Sequence, residues 1–358
     1  MVNQSYMAIN KKIIQKLDSK NVFESIGLVA KQAEQAWNEA KKINLVKSFK
    51  GIENVVIVGM GGSSIGPHFV KSVFNGKIKV PVEIVNDYVL PNHAAKKTLV
   101  LLSSYSGNTE EVLSCARQAK ARGAKVLVLS SGGKLGRFAR KNGWPGYIFK
   151  PEWNPCAQPR VGSGYMIFGA LGLLARAGLA RVSEAEIGGM IAALEKQAKR
   201  FGSLNKKNPA KDLARQLKDK MVFIVVSGFL QGNAHIFANQ LNETAKQFAA
   251  YFVLPEIDHH LLEGLTFPKS SKKDMVFLFF ESGKYHTQTQ KRYALTRQII
   301  KKNNIKTITY KLNSDNKLAQ AAEMLTLGAY ASFYLAMLNR QDPALIPWVD
   351  YLKRKLKK

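Results

Sequence analysis

Two short segments of this 358-residue chain put hydroxyls and bare backbone where an anion could sit. The first is Ser103-Ser104-Tyr105-Ser106-Gly107-Asn108-Thr109, between an apolar run and a stretch of helical periodicity. Its hydroxyls at Ser104, Ser106 and Thr109 fall near a helix N-terminus, where exposed N–H groups and the positive end of the dipole favour negative charge. Capping a helix needs only one such hydroxyl, so three of them point to a bound phosphate monoester. No carboxylate appears before Glu110 and no metal ligands accompany the segment, which suits a phosphate held without Mg²⁺. The second segment is Gly59-Met60-Gly61-Gly62-Ser63-Ser64-Ile65-Gly66. Ser64 stands where a dinucleotide fingerprint needs its third glycine, and no Gly-Lys-Ser/Thr follows as in a P-loop. What remains is a glycine-rich strand-to-helix turn. Either its backbone lets a ligand approach closely, or the turn is tight for packing alone.

The elements that would position these segments come in two rounds. The apolar runs VVIV (55–58), VEIV (82–85), TLVLLS (98–103), KVLVLS (125–130) and YIF (147–149) form the first. They are short and rich in Val, Ile and Leu, with few polar positions, so they read as strands buried on both faces. Helical stretches such as TEEVLSCARQAKARG alternate with them and make the sheet parallel. A helical connector with a Lys- and Asn-rich stretch at 196–211 separates the halves. MVFIVVSG (221–228), YFVL (251–254), MVFLFF (275–280) and KTITYKL (306–312) then form a second round. A helix over 317–338 follows, and a last short one begins near Pro347 after Asp342-Pro343.

Composition narrows the function classes. Hydrophobic residues make up 46% of the chain, an ordinary globular share. The opening MVNQSYMAINKKII lacks the apolar core of a secretory signal, and the apolar stretch 165–175 is too short to span a bilayer. Cys115 and Cys156 are far apart with no C-x-x-C, which argues against disulfides, a zinc site or a thioredoxin-like motif and fits a reducing cytoplasm. The net charge of +29 would suit nucleic acid or acidic membranes, but the lysines are spread along the chain with only a short basic cluster, KRKLKK, at the end. No nucleic-acid-binding signature or interleaved aromatics accompany them. The charge also suits an anionic substrate.

GMGGSSIG and SYSGNT are followed, in order, by Gln158-Pro159-Arg160, Leu241-Asn242-Glu243-Thr244-Ala245-Lys246, Pro255-Glu256-Ile257-Asp258-His259 and Lys353. Taken together the series resembles the bifunctional phosphoglucose/phosphomannose isomerase family, built from two sugar-isomerase (SIS) domains, over nearly the whole chain. SYSGNT alone would mark only an SIS domain. The resemblance implies that Gly62, Ser63, Ser104, Ser106 and Thr109 hold a hexose 6-phosphate, with no cofactor and no metal. It implies that Arg160 sits beside C1 and C2, that Glu243 is the base, and that His259 and Lys353 assist ring opening. It further implies a homodimer whose histidine comes from the partner subunit.

Read from the residues themselves, these positions leave alternatives open. A helix over 231–250 puts Phe237, Ala238, Leu241, Ala245 and Phe248 on one stripe, with Asn239, Asn242, Glu243 and Lys246 on its flank. Glu243 could then face a cleft, or it could pair with Lys246 on the surface for about 0.2–0.5 kcal/mol. His259 falls at a carboxyl end of the second sheet, where active sites of such sheets gather, and Glu256 and Asp258 could orient its ring. Arg160 follows Pro159 in a loop, either solvated or fixed to stabilise an oxyanion. Nothing but the resemblance singles out Lys353 from its basic neighbours. The chain departs from the family at two places. Asp258-His259-His260 replaces Asn-His-Asn, and Ile346 stands where some members carry a threonine linked to mannose 6-phosphate.

The expectation is an α/β fold of two doubly wound parallel-sheet SIS-like domains, 1–194 and 195–341, with a C-terminal helix over 342–358 returning to the cleft. The expected activity is aldose–ketose isomerisation of glucose 6-phosphate to fructose 6-phosphate in the cytoplasm, through an enediolate. The alternative is a non-catalytic SIS-type sugar-phosphate sensor, although no helix-turn-helix is evident near the N-terminus.

Overall fold

The computed structural model describes residues 9–45 and 49–356. The first eight residues of the N-terminal stretch and the last two lysines of the basic tail, Lys357 and Lys358, lie outside the described residues. The nine strands among the described residues are β1 (Asn54–Val58), β2 (Val82–Val85), β3 (Thr98–Ser103), β4 (Lys125–Ser130), β5 (Gly146–Ile148), β6 (Met221–Ser227), β7 (Ala249–Leu254), β8 (Met275–Glu281) and β9 (Lys306–Lys311). They form two all-parallel sheets, ordered β2-β1-β3-β4-β5 and β7-β6-β8-β9. Helices α1 (Lys11–Leu17), α2 (Val22–Gly27) and α3 (Val29–Ala40) precede the first sheet, and α4 (Ile65–Val73), α5 (Glu110–Ala121) and α6 (Gly133–Lys141) connect its strands. Then come α7 (Ser163–Arg176), α8 (Glu184–Gly202) and α9 (Pro209–Leu217). The second sheet is interleaved with α10 (Gln231–Glu243), α11 (Ser271–Asp274) and α12 (Thr287–Lys302), and α13 (Lys317–Leu338) and α14 (Pro347–Leu356) end the chain.

The strand chemistry explains the layering. Val55 and Ile57 of β1 join a large core with Leu99, Leu101, Leu127 and helices of both halves. Val56 and Val58 point the other way, into a smaller core with Val100, Leu102, Cys115 and Ala119. Alternate residues of one strand therefore bury on opposite faces, as a doubly wound sheet requires. The position 194/195 falls inside α8, which packs on both α3 and α13.

Helix α13 is long and apolar enough to cross a bilayer, with a mean hydropathy of 1.3, yet 94% of that window is buried. It is the central core helix of the second half. The helix expected over 231–250 ends early, at Glu243. Lys246 takes a left-handed φ of 52°, and Asn242 closes the turn by donating to Ala249 O and accepting from Ala249 N. Strand β7 starts immediately afterwards.

Candidate active site

In the first sheet the chain order reverses between β1 and β3, so the loops leaving those two strands diverge and open a crevice at their carboxyl ends. Both phosphate-type segments lie there. Side chains stitch the two loops together. Ser103 Oγ donates to Ser63 O (2.8 Å), and Tyr105 N donates to Ser63 Oγ (2.8 Å). Within the second loop, Ser104 Oγ and Thr109 Oγ1 share a 2.8 Å hydrogen bond, and Ser104 Oγ also accepts from Gly107 N (3.1 Å). Ser106 Oγ accepts from Asn108 N, and its residue is exposed. Thr109 occupies the N-cap of α5 but makes no side-chain cap bond. The simple capping alternative therefore fails for this residue, whose hydroxyl turns into the loop beside an open helix N-terminus.

The sequence reading missed the loop that supports this one. Gly107 has φ +68°, and a Cβ there would lie 1.9 Å from Gly132 O; a Cβ on Gly133 would lie 2.3 Å from Ser106 O. Ser131 Oγ donates to Tyr105 O (2.7 Å), and Lys134 N donates to Asn108 Oδ1 (3.1 Å). The signal was Ser130-Ser131-Gly132-Gly133 directly after a strand, and it could have been found.

Gly62 joins the cradle to the charged centre. A Cβ there would come within 2.8 Å of Arg160 N, so only glycine lets the loop rest on the Pro159–Val161 turn. Arg160 is not a solvated loop arginine: only 1% of its side chain is exposed. Nε donates to Thr244 Oγ1 (3.1 Å), Nη1 to Gln158 Oε1 (3.1 Å), and Nη2 to Pro343 O (2.6 Å) and Ala344 O (2.9 Å). The remaining Nη1 direction faces Glu243, whose Oε2 lies 3.5 Å away.

Glu243, the last residue of α10, keeps 28% of its side chain exposed, enough to meet a ligand. Burial pushes its carboxyl above the usual range. Arg160, then Lys353 and Lys246, pull the other way, and burial wins. The surface pair with Lys246 does not form. Lys246 Nζ donates instead to Thr244 O (3.2 Å) and to Asp342 O, and burial followed by the Arg160 charge lowers its ammonium to about 8.

Lys353 lies on exposed α14, close enough for its charge to act on Glu243. His259 ends a one-turn 3₁₀ helix after β7 and is exposed. Its acidic neighbours are committed elsewhere: Asp258 accepts from Arg292 (3.0 Å) and Thr296 (2.7 Å), and Glu256 pairs with His260 (3.0 Å). Within one chain, then, hydrogen bonds tie the Ser63 loop to the Ser103–Thr109 loop, Gly62 rests on Arg160, Arg160 faces Glu243, and the charge of Lys353 reaches Glu243, while no hydrogen bond among the described residues ties His259 to them. Among the described residues, no three His, Cys, Asp or Glu side chains converge as metal ligands.

A family profile described as "Bacterial phospho-glucose isomerase C-terminal SIS domain" matches residues 206–356. Over 344 residues the chain is 35% identical to a bifunctional phosphoglucose/phosphomannose isomerase of Caldicellulosiruptor bescii, covering 94% of this chain and 98% of that one. A protein of the same description from Aquifex aeolicus is 29% identical, covering 92% and 98%. Among solved structures, a hypothetical protein of Thermus thermophilus shares the fold with a TM-score of 0.73 at 16% identity, covering 97% and 92%.

Proposed function

We infer the function from one premise: the chain belongs to the bifunctional phosphoglucose/phosphomannose isomerase family. It interconverts glucose 6-phosphate and fructose 6-phosphate by proton transfer. The observation that carries this reading is a half-buried carboxylate with a raised pKa, Glu243, which faces a buried guanidinium resting on the phosphate cradle.

The 6-phosphate binds Ser63, Ser104, Ser106 and Thr109 with the backbone from Gly62 onward, which leaves C1 and C2 near Glu243. After ring opening, Glu243 takes the proton from C2 of the aldose. The C–H electrons form the C1–C2 double bond of a cis-enediolate as the carbonyl oxygen gains charge. Nη1 of Arg160 faces that charge. Glu243 then returns the proton to C1 while the proton on O2 passes to O1, so that C2 becomes the ketone carbonyl, O1 a hydroxyl, and no electron leaves the substrate. A base works best when its pKa approaches the working pH, and burial moves Glu243 that way. Lys353 and His259 assist ring opening. Ile346 bears on the second substrate, mannose 6-phosphate, whose acceptance is part of the proposal.

A homodimer completes the site. Helix α14 buries no residue, and Trp348, Tyr351, Leu352 and Leu356 stand exposed at three- and four-residue spacings, with Trp348 83% accessible. Such a stripe favours a protein partner, and the exposed His259 is free to serve a second copy. The reaction belongs in the cytoplasm, at the start of glycolysis and the end of gluconeogenesis. A coupled assay on fructose 6-phosphate with EDTA present tests the reading, and inactivity on both hexose phosphates, or loss of turnover to EDTA, would end it.

A further inference from the structure

Behind Arg160, away from the phosphate cradle, lies a small cavity of about 20 Å³ for water-sized contents. Its polar lining comes from Arg160, Ser163, Gln240, Thr244 and Thr326, and Val29 and Leu325 are among its apolar walls. The five polar residues are all buried, Gln240 and Thr244 to 4% and 3% exposure. Gln240 Oε1 has no hydrogen-bond partner. A buried amide oxygen is rarely left unpaired, because its lost hydration is not repaid. A space of this size, with five polar residues among those that line it, fits one water and its usual three bonds.

We propose that this cavity is an ordered-water site, and that Gln240 and Thr244 act through it as positioning residues for Arg160. The water donates one proton to Gln240 Oε1 and accepts the Thr244 hydroxyl proton. Its second proton goes to Ser163 Oγ or to a lone pair of Thr326 Oγ1, whose own proton is given to Ala322 O (2.8 Å). With its proton so directed, Thr244 Oγ1 turns a lone pair to Arg160 Nε at 3.1 Å. Gln240 lies one turn before Thr244, the C-cap of α10, and Thr244 N donates to Gln240 O (2.8 Å), so the water site, the guanidinium anchor and the base share one stretch of backbone. The role assigned to Gln240 and Thr244 rests on the isomerase reading, but the water site does not.

Two measurements decide the matter. A crystal structure at a resolution that shows solvent should place one water within hydrogen-bonding distance of Gln240 Oε1 and Thr244 Oγ1, and a dry cavity overturns the site. In kinetics, Thr244→Val keeps the shape and removes the hydroxyl. Its kcat should fall about 10- to 100-fold, with KM within about 2-fold, because the phosphate cradle is untouched. As Arg160 loosens, its pull on Glu243 weakens, so the acid limb of kcat/KM should move to higher pH. Thr244→Ser should restore turnover and the limb, and Gln240→Met should move both as valine does. An unshifted limb, or serine falling as far as valine, overturns the positioning role. A wild-type chain without isomerase activity would instead sink the proposed function, while the crystallographic result would still decide the water.

Discussion

Replacing Glu243 by glutamine keeps the side chain's size and removes the proposed base. Positioned acid–base catalysis is typically worth ~10²–10⁴-fold, about 3–5 kcal/mol of barrier. The loss should fall on kcat, because Glu243 reaches the phosphate cradle only through Arg160 and its contact with Gly62. KM should therefore stay within a few-fold. Folding should be nearly unaffected: Arg160 keeps its bonds to Thr244, Gln158, Pro343 and Ala344, and glutamine sheds the desolvation of a half-buried carboxylate. We expect a stability change of no more than about 1 kcal/mol. The pH profile carries a second signature. The base must be ionised, and its pKa is raised above the ordinary 4.5, so the acid limb of wild-type kcat/KM should lie above that value. Steady-state kinetics from fructose 6-phosphate across pH, with a melting curve for each protein, would read all of this. Near-normal turnover in Glu243→Gln would remove the residue from the mechanism and leave the chain a sugar-phosphate binder. A collapse of the melting temperature would mean that the lost activity reports unfolding.

Three further outcomes are expected. Ser104→Ala with Thr109→Ala should raise KM at least tenfold, since each hydrogen bond to a charged group is worth about 1.5–3 kcal/mol; an unchanged KM would move the phosphate elsewhere. Mixing inactive Glu243→Gln with inactive His259→Ala should recover about a quarter of wild-type activity if the histidine serves the partner's site, because half the dimers are mixed and each rebuilds one site; no recovery after subunit exchange would refute the shared site. His68 on α4 and His235 on α10 stack at 3.9 Å, and burial, with the His68 ring, pushes His235 from 6.5 down to about 4. This histidine is favoured neutral in the fold, so its contribution is full above pH 6.5 and is lost as pH falls toward 4, by up to about 3 kcal/mol. His235→Phe should flatten that fall in melting temperature, and identical pH slopes for the two proteins would sink the idea.

Most of the architecture was legible before the structure. Short apolar runs without alternation state that both faces are buried, and a turn of Gly, Ser and Asn after most runs states where the strand stops. The cradle was legible for the same reason, since its hydroxyls and glycines lie within a few residues of one another on a strand-to-helix turn. The end of α10 was not. It depends on a left-handed lysine and on one asparagine side chain reaching seven residues on, and Lys246 has no composition cue for either.

What the sequence determined by itself is local: periodicity, turns and the clustering of donors act over a turn of helix or a pair of strand ends. The charged centre was decided by tertiary structure. Arg160 finds Thr244 at a sequence separation of 84 and Pro343 O at 183, and that company turns a loop arginine into a buried one. The opposing effects on Glu243 could be named from the residue types but not weighed, because desolvation depends on everything packed around the carboxylate. Only the fold supplies that packing, and in it burial outweighs three nearby cations.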